Sequence, residues 1–376
     1  MSFKQFSRRF GALAGGGLLM NSSSAWAELG LNMTRGVTSI SRAAYDLHML
    51  IFWICVLIGL VVFGVMFYSM YHHRKSKGVV PAQFHESTTV EIVWTVVPML
   101  ILIGMAVPAT RALIAMEDTS NADMTITVTG YQWKWKYDYL DEGVSFFSTS
   151  STPRAQIVND QEKGENYLLE VDNPVVVPVG KKIRFLTTAA DVIHAWWVPD
   201  LGWKRDAIPG FINESWATIE EPGIYRGQCA ELCGKDHGFM PVVVVAKTEE
   251  DYQAWLSEQK ASAGAAAASA DREWTLEELM SKGESVYGTA CAACHLPTGE
   301  GMGDMFPALK GSPVTTAGPV EEHIATVLKG RTGTAMAAFA TQLDDVDLAA
   351  VVTYTRNAWG NDTGQLVQPS QIESLR

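Results

Sequence analysis

The stretch CAELCGKDHGFM, Cys229–Met240, places two cysteines, a histidine and a methionine within a few residues of one another. The chain has only five cysteines, and two more lie together in CAACH, Cys291–His295. Four of the five therefore sit in two short motifs. Such spacing reads as metal or cofactor binding rather than a disulfide framework.

The first motif decides what must surround it. A mononuclear blue-copper site uses one Cys, two His and a weak axial Met. Here there is one thiolate too many, and the extra thiolate permits two copper ions bridged by both sulfurs. Each copper then needs one imidazole. His237 is one, and the other should come from an earlier strand. DVIHAWWVPD places His194 on a strand-like segment ending at Pro199. Met240 is then a weak axial ligand on one copper, and a backbone carbonyl, that of Glu231, serves the other. The competing reading is a Cys229–Cys233 disulfide, with His194 an ordinary core histidine.

The segments around that motif read as strands. MTITVTGYQWKWKYDY alternates and is rich in Thr, Tyr and Trp. YLLEVDNPVVVPVGKKIRFLTTA, SWATIEEPGIYRG and PVVVVAK continue the pattern to Lys247. Short strands punctuated by Gly and Pro predict a β-sandwich or barrel. An amphipathic segment, EEDYQAWLSEQ, follows, then ASAGAAAASA, a low-complexity stretch that reads as a linker and whose alanines also suit a helix.

After Glu273 the pattern turns helical and leads into CAACH. Cys-x-x-Cys-His is the attachment signal of c-type haem. Cys291 and Cys294 would bond the porphyrin, and His295 would supply the proximal iron ligand. Met336, in TAMAAF, offers a thioether for the other axial position, and Met/His ligation raises the reduction potential. Met302 and Met305 compete for that place but lie close to the attachment site in sequence. The competing reading is a redox or disulfide Cys-x-x-Cys.

The N-terminal third is different again. MSFKQFSRRF, GALAGGGLLM and SSAWA follow the order of an export signal, with cleavage expected after Ala27. Leu47–Tyr71 and the stretch from Val90 are each long and apolar enough to cross a hydrocarbon core of about 30 Å. Pro98 and Pro108 in the second are tolerated better by packed membrane helices than by soluble ones. The loop between them carries Arg74, Lys75 and Lys77, which puts it on the cytoplasmic side. The formal net charge is −12, which argues against nucleic acid as a partner and suits a basic protein. Cys55, in the first span, reads as a small buried apolar residue.

With these residues in view, the chain closely resembles subunit II of the haem–copper cytochrome c oxidases, in the bacterial form with a cytochrome c domain fused at the C-terminus. The resemblance rests on the two-helix hairpin, GYQWKWKYDY, DVIHAWWVP, KRDAIPG and CAELCGKDHGFMP, with CAACH to TYTRNAWGN matching the haem domain. It implies a multi-domain chain: a transmembrane hairpin, an all-β cupredoxin-like Greek-key barrel and an all-α class I cytochrome c domain. The expected divisions are a signal at 1–27, an N-terminal segment and hairpin at 28–113 (helices near 46–71 and 90–113) and a copper domain at 114–247. A helix and linker at 248–272, a cytochrome domain at 273–360 and a tail at 361–376 complete them. It implies a dinuclear copper A centre held by His194, Cys229, the Glu231 carbonyl, Cys233, His237 and Met240. The Glu231 carboxylate is expected to help bind Mg²⁺ or Mn²⁺ at the interface with subunit I. Trp133 matches the family's electron-entry residue. Glu91 matches the acid at the mouth of a proton channel in subunit I.

The expected function is that of the electron-input subunit of a proton-pumping terminal oxidase in a bacterial inner membrane, with copper and haem domains on the periplasmic face. Electrons would come from a soluble donor such as a cytochrome c and pass by haem and copper to subunit I, where O₂ becomes water. Other oxidase subunits are implied as partners. Three rivals remain. A quinol oxidase subunit would lack the copper ligands, a nitrous oxide reductase-like enzyme would carry a second copper domain, and a copper-delivery protein would bind the metal transiently.

Overall fold

The computed structural model of the protein describes residues 32–303 and 306–376. The expected export signal and Met305 lie outside the described residues.

Two long helices come first, α1 (Ser39–His72) and α2 (Thr88–Glu117). Both are apolar and exposed along their middles, and they are the membrane-length helices among the described residues. Each is longer than the apolar stretch predicted from the sequence. At 1.5 Å per residue α1 rises about 51 Å and α2 about 45 Å, against the roughly 30 Å a bilayer core needs. The surplus continues into polar turns that reach the β domain. Thr38 caps α1 in a capping box with Ser41, and its hydroxyl also donates to the Leu201 carbonyl at 2.9 Å. Arg42 pairs with Glu220. At the far end of α2, the Trp216 indole donates to the Ala115 carbonyl at 3.1 Å, and Arg205 meets Glu117 at 3.1 Å. The hairpin is thus fastened to the β domain at both of its ends.

The β domain holds ten strands: β1 (Met124–Tyr131), β2 (Lys134–Tyr139), β3 (Val144–Ser148), β4 (Val175–Pro178), β5 (Lys182–Ala189), β6 (His194–Val198), β7 (Trp203–Ala207), β8 (Asn213–Thr218), β9 (Gly223–Cys229) and β10 (Pro241–Lys247). A short helical turn, α3 (Arg154–Ile157), lies between β3 and β4. One sheet runs β3-β2-β1-β5-β8 and the other β4-β10-β9-β6-β7. Burial alternates residue by residue along β1, β2 and β5, as expected for strands with one face on a shared core. That core is aromatic, with Trp135, Trp196, Tyr137, Tyr139 and Phe185 fully buried. Their polar atoms are paired across the sandwich. The Trp196 indole donates to the Tyr137 hydroxyl at 3.2 Å, and the Tyr139 hydroxyl both donates to the Val176 carbonyl and accepts from its N–H. Aromatic rings with satisfied polar tips bury large apolar area without leaving an orphaned group.

Helix α4 (Glu249–Ala270) opens on the Thr248 cap with three acids in its first turn. Tyr252 and Leu256 are buried, and Trp255 packs on Tyr139 and Phe146. The alanine-rich stretch read as a linker continues this helix. Alanine has the best helix propensity, and the first three turns, clamped to the β domain, act as its nucleus.

The C-terminal domain is helical: α5 (Leu276–Ala290), α6 (Ala292–His295), α7 (Pro313–Thr316), α8 (Val320–Lys329), α9 (Asp345–Asn357) and α10 (Pro369–Glu373). Thr275 and Glu278 form a capping box at the start of α5. Helices α5 and α9 cross closely because position 283 is glycine; a Cβ there would lie 2.2 Å from the Ala350 carbonyl. Tyr287, Tyr354 and Trp359 pack edge-to-face or tilted beside that crossing. Arg356 is buried, and its guanidinium donates to the carbonyls of Val314 and Gly318, each at 2.9 Å.

Candidate metal centre

The cysteine motif lies where β9 ends and the chain loops to β10. Cys229 is the last residue of β9, His194 is the first residue of β6, and Met240 directly precedes β10. Pairing of β6 with β9 aligns Trp196 opposite Cys229. Two segments far apart in sequence therefore deliver ligands to one end of the sandwich. The side chains of His194, Cys229, Cys233 and Met240 are all buried there.

Cys229 Sγ and Cys233 Sγ are 3.9 Å apart, and both are free thiols. His194 Nδ1 lies 3.9 Å from Cys229 Sγ on one side, and His237 Nδ1 lies 3.5 Å from Cys233 Sγ on the other. Met240 Sδ is 3.5 Å from Cys233 Sγ, and the Glu231 carbonyl is 3.4 Å from Cys229 Sγ. His194, Cys229 and Cys233 alone bring three ligand atoms within 4.8 Å of one another. With metal–thiolate bonds of about 2.3 Å, one ion can bridge two sulfurs no more than about 4.6 Å apart. The pair meets that limit, and the two imidazoles approach different sulfurs. The donor set fits a two-metal thiolate-bridged site.

The electrostatics are those of a site awaiting a cation. Burial raises the Cys229 thiol, but His194 and the backbone donors at the loop more than offset it and bring it down to about 7. Burial and the neighbouring Cys229 push Cys233 up to about 12. Burial works against a charge on His194, yet Asp191 and Cys229 together raise its pKa. A metal that binds both sulfurs must displace the protons these thiols carry.

Neighbouring residues shape the pocket. Position 130 is glycine where a Cβ would lie 2.7 Å from the His194 ring. Trp135 is fully buried, stands edge-on to that ring at 5.8 Å and donates its indole N–H to the Met240 carbonyl at 3.2 Å. Trp133 falls outside the strand, in the β1–β2 turn, half-buried. Its indole N–H donates to the Cys233 carbonyl at 3.3 Å, and Gln132 Nε2 donates to the same oxygen at 2.8 Å. The two tryptophans thus separate, Trp135 into the core and Trp133 to the rim. The Glu231 carboxylate side is exposed. Gly130, Gln132 and Asp191 lie inside the stretches GYQWKWKYDY and DVIHAWWVP, yet the ligand arithmetic assigns them no role. The one legible signal was Asp191, three residues before His194.

In the helical domain, His295 is buried and its Nδ1 lies 2.9 Å from the Pro307 carbonyl. That bond fixes the proton on Nδ1 and leaves Nε2 for a metal. Cys291 and Cys294 are free. Met336 is half-buried in the irregular segment between α8 and α9, held by a 3.2 Å bond from its N–H to the Thr334 hydroxyl. Met302 is paired with Phe306 in an isolated bridge on the attachment side. Burial and Cys294 push Cys291 up to about 12, with Lys134 of β2 opposing. Burial likewise raises Cys294, with Lys235 opposing and Asp236 adding. Lys134 of β2 and Lys235 and Asp236 of the cysteine loop are thus the β-domain charges that act on the attachment cysteines. Glu91 is exposed in the first turn of α2, at the hairpin end that carries Arg74, Lys75 and Lys77.

Comparison with known proteins bears directly on this architecture. The profile described as cytochrome c oxidase subunit II, periplasmic domain, matches residues 124–247, and the transmembrane-domain profile matches 25–111. A probable cytochrome c oxidase subunit 2 from Rickettsia bellii is 38% identical over 245 residues, spanning 64% of this chain and 90% of that one. The chain belongs to the cytochrome c oxidase subunit II family. The Arabidopsis thaliana subunit 2 is also 38% identical, over 61% of this chain and 89% of its own. The helical domain matches, over residues 278–354, the profile described as cytochrome c oxidase, cbb3-type, subunit III. The solved periplasmic domain of subunit II from Bradyrhizobium japonicum is 42% identical, with a TM-score of 0.35, over 38% of this chain and 98% of that one. The fold expected from the sequence holds: two apolar helices, a cupredoxin-like β domain and a helical cytochrome c domain. Copper and haem are the groups that these two domains suggest, and the His/Cys/Cys cluster agrees with the first.

Proposed function

We propose that this chain is the electron-input subunit of a proton-pumping terminal oxidase, receiving electrons from a soluble donor such as a cytochrome c at its haem domain and delivering them through its copper domain to subunit I. Bound copper and haem would supply the one-electron carriers, and O₂ reduction would lie in subunit I. The observation that carries this reading is the donor set at the end of the sandwich: two thiols 3.9 Å apart, flanked by one imidazole each. His194, Cys229, Cys233, His237, Met240 and the Glu231 carbonyl would hold two copper ions. Cys291, Cys294, His295 and Met336 would hold the haem. A transient copper carrier needs neither the haem motif nor the hairpin.

The protein's own task is to hold its ligands still. The centre is built on strand ends and a packed aromatic floor, so little reorganises when charge changes. Trp133 stands half-buried at the rim of the cysteine loop, its indole bonded to the Cys233 carbonyl, which suits an electron-entry role. Replacing Cys229 or Cys233 by Ser should abolish the two-copper hyperfine pattern in the EPR spectrum of the purified oxidase; its survival in either variant would sink the copper assignment.

On the opposite side of the membrane, assigned as cytoplasmic from the basic loop, Glu91 would collect protons for subunit I. Glu91→Ala should slow oxygen consumption while copper is still reduced at the normal rate. Unchanged turnover would make it a solvated helix-end acid. The exposed Glu231 carboxylate would help bind Mg²⁺ or Mn²⁺ against subunit I. A Mn²⁺ EPR signal that persists in Glu231→Ala would rule that out.

A further inference from the structure

Asp191 opens the stretch DVIHAWWVP without being one of the expected ligands, yet both of its carboxylate oxygens are engaged at the proposed copper site. Oδ1 lies 3.0 Å from His194 Nε2 and accepts the Val192 N–H at 2.7 Å. Oδ2 accepts the Gln132 N–H at 2.7 Å. Gln132 and Trp133 in turn converge on the Cys233 carbonyl. One carboxylate therefore joins a buried ligand from the start of β6 to the β1–β2 turn, and that turn grips the loop carrying the second thiol.

We propose that Asp191 is a positioning residue for the copper centre. It holds His194 with the proton on Nε2 and Nδ1 turned to Cys229, and it locks the Gln132–Trp133 turn to the same ligand. A carboxylate is suited to this because it is an acceptor only, with room for several donors. An imidazole whose outer N–H is paired has a fixed tautomer and ring orientation. Trp135 and the space left at Gly130 determine where the His194 ring lies, and the carboxylate determines which nitrogen faces the thiol. The clamp also makes the rim indole of Trp133 part of the copper site's rigid frame instead of a free loop side chain.

This inference rests on the copper reading above, and one experiment separates the two. In the purified wild-type oxidase, absence of a two-copper EPR pattern would fail the copper reading itself. Given that pattern, Asp191→Asn and Asp191→Ala are compared with wild type for copper release to a chelator, EPR hyperfine pattern and copper potential. Asparagine is isosteric, but its single oxygen can replace only one of the two carboxylate oxygens, so its NH2 group must face either the Gln132 N–H or the His194 and Val192 N–H groups. Copper release should be faster by roughly 10–100-fold in the alanine variant, the usual cost of losing an outer-shell partner, and less in the asparagine variant. The hyperfine pattern and potential should shift in both. Wild-type release, pattern and potential in both variants, even with a lowered melting temperature, would overturn the proposal and leave Asp191 a loop-stabilising acid. Should the alanine variant fail to assemble, the asparagine variant alone decides on the same three readouts.

Discussion

A glycine determines how closely β1 can approach His194, the proposed copper ligand. At position 130 a Cβ would come within 2.7 Å of the His194 ring, and Trp135, paired across from Gly130, stands edge-on to the same ring at 5.8 Å. The strand cannot retreat, because β1 is paired on both edges, so the buried His194 ring is the part that must give. Gly130→Ala should therefore move the imidazole rather than unfold the sandwich. The expected outcome is a shifted copper EPR pattern and loss of copper on dilution, with far-UV circular dichroism unchanged. Wild-type copper retention would mean that the backbone gives way and the imidazole keeps its place. The same economy marks Trp133, whose indole N–H is spent on the Cys233 carbonyl; at this scale a rim side chain and a ligand loop are one object.

Among the elements, the segment between α8 and α9 carries Met336 without regular structure, so its thioether is placed by turn bonds such as that to the Thr334 hydroxyl. Met336→Ala should leave the haem attached, since attachment needs only the two cysteines, and lower its potential. A redox titration checks this, and an unchanged potential would transfer the role to Met302 or Met305. Helix α8 contributes a second prediction. His323 is buried, and burial, helped by the Arg356 guanidinium, pushes it down to about 4. It is neutral when folded, while the unfolded chain takes up a proton near pH 6.5. The unfolded state binds more protons in that window, so stability rises with pH there. The contribution is full above pH 6.5 and is lost as the pH falls toward 4, by roughly 3 kcal/mol in all. Denaturation of the haem domain in the full chain, followed by haem absorbance at several pH values, measures it. His323→Phe should flatten this slope, and an equally steep acid slope in that variant would reject the assignment.

For the whole molecule, the decisive relation is between the haem domain and the copper domain. Residues 271–376 carry 14 acidic and 7 basic side chains, before any haem propionates. A basic donor would be steered to that surface, and salt screens such steering over a Debye length of about 8 Å at physiological ionic strength. In the proposed route the second transfer stays inside one chain, whose β and helical domains are joined by the continuous helix α4. Haem should be reduced before copper, with salt slowing the first step and sparing the second. Stopped-flow absorbance follows the two separately. Copper reduced first, or as fast once the haem domain is deleted, would return the entry point to Trp133 and the copper face.

How much of this was legible in the sequence follows from how local each cause is. Motifs whose ligands lie within one loop or one helix end, CAELCGKDHGFM and CAACH, carry their chemistry in their spacing. The hairpin is equally legible, because a membrane span is a property of composition and length alone. Alternation along β1 and β5 announced strands because side chains on a pleated sheet face opposite ways by turns. The meeting of His194 with Cys229 was inferred from ligand arithmetic, but its geometry depends on β6 pairing with β9, which no local pattern states. The same holds for the parting of Trp133 and Trp135, for the space at Gly130 and for the three donors on Asp191. Each depends on what another segment brings to within a few ångströms. The sequence by itself determined which groups this protein can bind and roughly where its domains lie. The tertiary structure alone decided which residues hold those groups in place, because tautomers, ring orientations and hydrogen-bond partners are set by contacts between residues distant in the chain.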